Sequence, residues 1–443
     1  MSGAIGAIRA GFGLRDRAGR GRAKARPVEY SLLLTATMCL LAFGVVMVFS
    51  ASSSASLLGE SGDGAFYLKR TLMFGALGLI ALKLLSIWGL QNLRRITPAI
   101  LLGAVALLIV TKLIGTSANG AQRWIAMGPV QIQASEIAKV ALMLYGASLL
   151  AERPRMTRDL RSMSPFLMVV AGVVALVVVE PDLGTAMVSA FAAAALLVAA
   201  GAKIRHLAII AGVLLLVVAV AVVMEPYRMA RLTSFINPTA DASGAGFQGM
   251  QASIALGSGG IFGVGLGESV QKAFYLPEAH TDMIAAVIGE ELGMLGITVL
   301  VGLYMLLGYA GFRTAQKARD RYGRLLAAGL TAMILVQASI NLFAALGLAP
   351  LTGVTLPFVS YGNSSLIVTL AAVGLLLNIA NGGSAGAASS TGRGATGLRL
   401  LPGGGAATAP RRRSGGARAT GGDRSRRYGG TRRAGDSRRR RAR

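Results

Sequence analysis

Residues 165–202 read PFLMVVAGVVALVVVEPDLGTAMVSAFAAAALLVAAGA, two apolar runs parted only by Glu180-Pro181-Asp182. The first run is short for a bilayer crossing, which takes about 20 residues. Fused, the two make one span; separate, they make two with a tight connection. Working outward, further apolar runs occur near residues 30–50, 71–88, 99–115, 136–151, 207–224, 283–312, 325–349 and 364–381. The total is nine spans or ten, and the reading of 165–202 decides between them.

Composition agrees with a body in lipid. Of 443 residues, 53% are hydrophobic and 14% charged, and the mean hydropathy is +0.60, whereas a soluble domain is about 25% charged. A soluble globular enzyme is excluded, and one polytopic membrane domain replaces the several domains that the length would otherwise suggest. The net charge of +26 belongs mainly to the ends: residues 1–26 carry +6 and residues 391–443 carry +14. Basic loops face the cytoplasm. With ten spans and a cytoplasmic N-terminus, 13 of the 22 cations of the body fall in inner loops, and both basic ends stay inside. Nine spans would put one basic end outside. The expected fold is therefore all-α and polytopic, with about ten transmembrane helices. A basic cytoplasmic tail covers 1–26, the membrane domain 27–382, and an Arg/Gly-rich cytoplasmic tail 383–443.

The first run follows basic residues and precedes a small-residue stretch, like a signal peptide. Its length and the spans that follow predict an uncleaved helix. Cys39 is the sole cysteine, so neither a disulfide nor a cysteine metal site is available. The second tail is mainly Gly, Ala, Ser and Arg without periodicity and cannot bury enough apolar surface to offset its ordering entropy, which predicts disorder. Only Tyr428 offers a stacking surface within its densely basic part, so anionic lipid or an acidic partner is expected there and nucleic acid is not.

One long outer loop is expected at about 225–282, before the eighth span. Its glycine-rich centre, Gly257 to Gly267, has neither a GK[ST] ending nor GxGxxG spacing, so a nucleotide cradle is not supported. Charged residues in or beside spans are functional candidates because burying them in lipid is costly. Glu136 and Lys139 are three apart at the start of the fourth span and share a helical face; a catalytic role and a helix-locking ion pair both remain open. Asp282 opens the eighth span. Glu290 and Glu291 follow about 12 Å deeper, where a structural role is favoured. His280 has no second histidine on its side of the membrane to build a zinc site, so a structural role is expected. Trp124 reads as an interfacial anchor before a sugar platform.

Residues Pro277 to Gly293, PEAHTDMIAAVIGEELG, resemble the loop-to-helix signature of the SEDS (shape, elongation, division and sporulation) family, specifically its FtsW branch. Similar blocks run through Asn119 to Trp124, Gln133 to Glu136 with Lys139, Pro181 to Thr185, Tyr227 to Arg231, Phe247-Gln248, Gln251 to Ser253, Gly257 to Gly260, Gly265 to Gly267, Gln271-Lys272 and Tyr275 to Glu278. Asn341, Pro350, Gly353 and Leu356 to Ser365 complete the series. Neither tail is covered. Three positions depart from the family's usual pattern: Ala134 stands for proline, Met283 for phenylalanine and Asn363 for glycine. Without the proline a fixed φ is lost at a helix entrance, and asparagine tolerates positive φ better than most residues.

The resemblance implies a peptidoglycan glycosyltransferase that polymerises lipid II at the outer face of the cytoplasmic membrane during division. A sugar hydroxyl would attack an anomeric carbon and displace a lipid diphosphate. That chemistry asks for a base and for cations at the leaving group. Asp282 matches the family's proposed catalytic aspartate and is the expected general base. Arg123, Arg228, Arg231, Lys272 and Lys139 could meet the diphosphate, alone or with a divalent cation such as Mg or Mn, and arginine's bidentate geometry favours the first three. Contact with lipid headgroups is the plainer alternative. Glu136, Lys139 and Asp182 are assigned to positioning or charge balance. The implied partner is a cognate class B penicillin-binding protein transpeptidase, with division-complex proteins. A lipid II flippase and a septal scaffold are the competing readings; the concentration of polar blocks on one face favours the enzyme.

Overall fold

The computed structural model describes residues 26–382 apart from 59–61, 119–120, 128–129, 239–240, 242–243, 245 and 273–275. The expectations for the two basic tails thus lie outside the described residues. Helices α1 (Val28–Leu58), α2 (Phe66–Ile87), α3 (Leu90–Ile114), α4 (Ala134–Glu152), α5 (Leu160–Val179), α6 (Leu183–Ala199) and α7 (Ile204–Val223) come first. Helices α8 (Pro226–Ile236), α9 (Phe247–Gly259), α10 (Ile284–Lys317), α11 (Arg321–Ala345) and α12 (Asn363–Ala380) follow.

Among the described residues, nine helices are long and apolar enough to cross a bilayer, and α6, at 17 residues, is shorter. Its contacts show that it crosses nonetheless. Asp182, its N-cap, accepts hydrogen bonds from Gln133 and Ser135 at the start of α4 (2.9 and 3.1 Å). At its other end, the Ala200 carbonyl accepts from Arg321 at the start of α11 (3.5 Å). About 25 Å of helix suffices because α6 lies inside the bundle, packing Ala186, Ala192, Ala193 and Leu196 against α4 and α11. The chain therefore traverses ten times, and 165–202 is two helices. This is a multi-pass membrane protein. Its opposite neighbour in character is α7, in which only His206 is buried.

The connections sort to two ends of the bundle. One end holds the links α3–α4, α5–α6, α7–α10 and α11–α12, with Asp282 among them. At the other, Arg94 pairs with Glu152 (3.0 Å) and Lys317 with Glu29 (2.5 Å).

Two segments differ from the expected loops. Between α3 and α4 the chain forms an antiparallel sheet of β1 (Thr116–Ala118), β2 (Ala121–Met127) and β3 (Val130–Gln133) in that order. Thr116 pairs with Trp124 and Ile125 with Ile132. The turn-forming dipeptides Asn119-Gly120 and Gly128-Pro129 separate these strands in the sequence. Residues 225–282, expected as one open loop, contain α8 and α9, and α9 packs on α10 through Ala252, Ala255 and Gly259.

The glycine-rich stretch after α9 completes a broken helix. At 34 residues α10 runs about 51 Å, and it is interrupted at Gly293 (φ 64°, ψ −161°). Backbone N–H groups of Val264 and Gly265 donate to the carbonyls of Glu290 and Glu291 (2.9 and 3.1 Å). Met294 and Leu295 donate back to Gly260 and Ile261 (3.0 and 3.2 Å). Backbone groups freed by the break are thus satisfied inside the protein, as a lipid environment requires. The approach leaves no room for side chains: a Cβ on Gly259 would stand 1.9 Å from the Gly289 oxygen, and one on Gly263 2.1 Å from that of Glu291.

Candidate active site

Asp282 precedes α10 by two residues, and its placement comes from three elements. The Asn341 side chain on α11 donates to the carbonyls of Asp282 (2.8 Å) and Val354 (2.7 Å), pinning the loop to the α11–α12 link. The backbone N–H of Tyr361 donates to the His280 carbonyl (2.9 Å). The Thr281 hydroxyl lies 2.8 Å from Glu278 Oε2 and 3.3 Å from Asp282 Oδ1, so its proton serves Glu278 first and leaves Asp282 weakly bonded. Gly353, at φ +69°, passes close enough that a Cβ there would sit 4.0 Å from Asp282 Oδ2.

Burial sets the chemistry. Asp282 is 7% exposed. Desolvation, helped by the negative charge of Glu278 and opposed by Arg231, raises its pKa to about 6. At pH 7 it is mostly ionised and still a competent proton acceptor. His280 is held low by burial, and its ring clusters with those of Tyr67 (4.2 Å between centroids) and Tyr361 (5.6 Å). That packing agrees with the structural role expected for it.

Asp282 opens onto a cavity of about 1820 Å³, beyond the roughly 300–1,000 Å³ of small-molecule pockets. Its polar lining includes Arg123 from β2, Arg228 and Arg231 from α8, and Glu278 beside Asp282. Its apolar lining includes residues of α6 (Leu183, Met187), α7 (Leu215, Val218) and α11 (Leu335, Val336). The arginines are anchored on main-chain carbonyls. Arg123 donates to Pro181, Arg228 to Ala221 (3.0 Å) and Val178 (3.3 Å), and Arg231 to Leu351 (3.0 Å). For Arg123 and Arg228, carbonyl anchors orient the guanidinium without cancelling its charge.

Asp282, Arg123, Arg228 and Arg231 are therefore brought together, with Trp124 also on the wall. The other sequence candidates sit elsewhere. Asp182 accepts from Gln133, Ser135 and the Thr185 N–H, fastening the start of α6. Glu136 and Lys139 form a buried ion pair (2.8 Å) whose ammonium also reaches Gln337 Oε1 (2.6 Å), tying α4 to α11. Lys272 pairs with Glu291 (2.8 Å) in a buried cluster with Ser50, apart from the cavity. Glu180, on the α5–α6 turn, is 1% exposed with neither oxygen hydrogen-bonded; burial and the nearby Asp182 push its pKa to about 8.

Sequence reasoning missed Glu278, which tunes Asp282 from four residues away, although it lies in the same block. Asn341 was part of a family-like position, but its bridging of Asp282 and Val354 depends on a contact across 59 residues. The positions of Tyr67 and Arg70 on the cavity wall had no local signal.

Comparison with known proteins accounts for this arrangement. Residues 30–384 match the Cell cycle protein family of FtsW, RodA and SpoVE. The chain is 39% identical over 361 residues to a probable peptidoglycan glycosyltransferase FtsW of Trichlorobacter lovleyi, covering 81% of this chain and 94% of that one. It is 38% identical to the stage V sporulation protein E of Bacillus subtilis, covering 79% and 96%. Among solved structures, a component of a peptidoglycan synthase complex, described as coordinating polymerization and crosslinking, aligns with TM-score 0.65 and 30% identity over 79% of this chain and 96% of that one. The rod shape determining protein RodA of Thermus thermophilus aligns with TM-score 0.59 and 29% identity over 79% and 95%. Ten traversals, the broken eighth span and a family match from the first span to the last lead to one conclusion: the chain belongs to the FtsW/RodA/SpoVE family of SEDS proteins.

Proposed function

We propose that this protein is a peptidoglycan glycosyltransferase that polymerises lipid II. The observation that carries the reading is one cavity lined by a buried carboxylate, by Arg123, Arg228 and Arg231, and by apolar side chains of α6, α7 and α11. A lipid-linked sugar diphosphate has the same division into sugar, diphosphate and hydrocarbon. Asp282 accepts the proton of the attacking sugar hydroxyl as its oxygen bonds to the anomeric carbon. The bond from that carbon to the diphosphate oxygen breaks with its electron pair, and Arg123, Arg228 and Arg231 face the charge that develops there. The polyprenyl chain lies between α6, α7 and α11.

Among the described residues no group of three or more His, Cys, Asp or Glu side chains could hold a metal ion. No step here runs through a metal.

The basic loops support the orientation in which the Asp282 end is outside and both termini are cytoplasmic. A cognate class B transpeptidase is the expected partner, in keeping with the synthase complex found among the structural relatives. The similarity to FtsW proteins supports a place at the septum, with the basic tails as handles for anionic lipid or acidic division proteins. The test is polymerisation of lipid II by the purified complex with its transpeptidase. Glycan strands from the wild type, absent with a folded Asp282→Ala protein, are expected. No strands from a folded wild-type complex, together with movement of lipid II across liposomes, would replace the enzyme with a flippase.

A further inference from the structure

The cavity wall holds buried polar atoms that have no hydrogen-bond partner. Apart from Arg123 Nε, they are Thr352 Oγ1 and Asn363 Oδ1. Asn363 is the first residue of α12 and is 6% exposed. The helix begins without a side-chain cap, because its N-cap is Gly362. Its first intrahelical bond runs from the Leu366 N–H to the Gly362 carbonyl (3.0 Å). The preceding N–H groups carry the partial positive charge of a helix N-terminus.

The neighbouring hydroxyls are engaged elsewhere. Ser364 Oγ donates to the Gln131 carbonyl (2.7 Å) and accepts from the Gln133 N–H (3.0 Å). Ser365 Oγ lies within hydrogen-bond distance of Thr355 Oγ1 (3.2 Å) and Gln337 Nε2 (3.4 Å). The bond from the Tyr361 N–H to His280 holds this end of α12 beside the loop that bears Asp282.

A row of N–H donors next to a buried acceptor suits a group that both accepts and donates. A phosphate only accepts, and its oxygens would oppose Asn363 Oδ1; the arginines of β2 and α8 are better placed for it. A secondary amide has both functions. We infer that the N-terminus of α12 is a subsite for the 2-acetamido group of the sugar whose hydroxyl faces Asp282. The acetamido carbonyl accepts from the helix N-terminal N–H groups, and its N–H donates to Asn363 Oδ1. Thr352 Oγ1 meets a hydroxyl of the same ring. This rests on the glycosyltransferase reading and adds to it the feature by which the sugar is chosen.

The experiment measures kcat/KM for lipid II polymerisation by the transpeptidase complex on two substrates: native lipid II, and lipid II whose terminal sugar carries an acetate ester in place of the acetamide, which keeps the carbonyl and removes the N–H. Wild type, Asn363→Ala and Asn363→Asp are compared, with folding followed by co-purification of the partner and by circular dichroism. The wild type is expected to lose about tenfold on the ester substrate, the scale for leaving a buried polar group unpaired. Asn363→Ala is expected to lose about tenfold on native lipid II and little more on the ester, since both changes remove the same N–H to Oδ1 contact. Asn363→Asp, which keeps an acceptor oxygen, should exceed Asn363→Ala on native lipid II.

Equal wild-type rates on the two substrates would overturn the subsite without recourse to any variant. So would losses that multiply in Asn363→Ala. An Asn363→Asp protein weaker than Asn363→Ala on native lipid II would mark a phosphate site instead. A wild-type complex that makes no polymer from native lipid II would remove the glycosyltransferase reading itself, whereas polymer without substrate selectivity removes the subsite alone.

Discussion

Two groups of buried charges lie within a few turns of each other along the chain and have opposite characters. Around Lys272 every charge is answered from within. Its ammonium reaches Glu291 (2.8 Å) and the Gly267 carbonyl (2.6 Å), and the Ser50 hydroxyl lies 2.7 and 2.6 Å from the two Glu291 oxygens. Glu290 accepts from Ser269 and the Val270 N–H. Asp282, by contrast, has a backbone N–H and one long side-chain contact, from a shared hydroxyl, and lines a cavity that arginines also line. Both groups break the rule that charges stay out of a membrane protein's interior. What separates them is satisfaction: a fully bonded cluster holds the fold, and an unsatisfied one beside a cavity awaits a ligand.

That contrast can be broken by substitution. Asp282→Asn should reduce polymerisation by about a thousandfold, within the range for loss of a general base, while its melting temperature stays near that of wild type; a large fall in melting temperature would make Asp282 another fold-holding charge. Lys272→Met should do the reverse. Breaking a buried pair costs about 3–5 kcal/mol, so thermal unfolding in detergent should drop sharply, whereas turnover per folded molecule persists. Loss of turnover in a stable Lys272→Met protein would place Lys272 back at the substrate.

Smaller effects sharpen the same boundary. Arg231→Ala should lower kcat/KM by about 10- to 100-fold, below the usual cost of an oxyanion donor because Arg70, Arg123 and Arg228 remain on the cavity wall, and Arg231→Lys should restore part of it. The smallest effect concerns pH. Since Asp282 must be ionised to accept a proton and its pKa is about 6, activity should fall as pH drops through 6. Glu278 raises that pKa, so Glu278→Gln should move the acid limb to lower pH by less than about one unit. A shift to higher pH would show that Glu278 acts on Asp282 by some means other than its charge.

The fold was legible wherever burial in lipid dictates composition. Ten apolar runs became ten traversals, including α6, because a span must be apolar whatever its neighbours are. The sheet between α3 and α4 was less legible: its strands are short, although the sequence holds the turn-forming dipeptides Asn119-Gly120 and Gly128-Pro129 between them. Helices α8 and α9 were hidden because neither is long enough to be a span, and the glycines after α9 gave no sign of their target, the break in α10. At the site, Asp282 and the three arginines could be named from their local blocks. Lys272 could not be sorted, since a cation in sequence looks the same whether it meets a substrate or Glu291, 19 residues on. Asp182, assigned to positioning or charge balance around Asp282, fastens the start of α6 once its donors are counted.

The unlike surroundings of α4 and α7 bear on how the chain is made. Helix α7 has a mean hydropathy of 2.9 and α4 only 1.3, and α4 carries Glu136 and Lys139 in its first two turns. A nascent α7 can leave the translocon and partition into the bilayer unaided. For α4 the charges pair locally, but the amide that completes their hydrogen bonding, Gln337, is synthesised 198 residues later. Secure integration of the fourth span is therefore expected to wait for the eleventh helix, so that biogenesis does not finish in the order in which the ribosome delivers the segments.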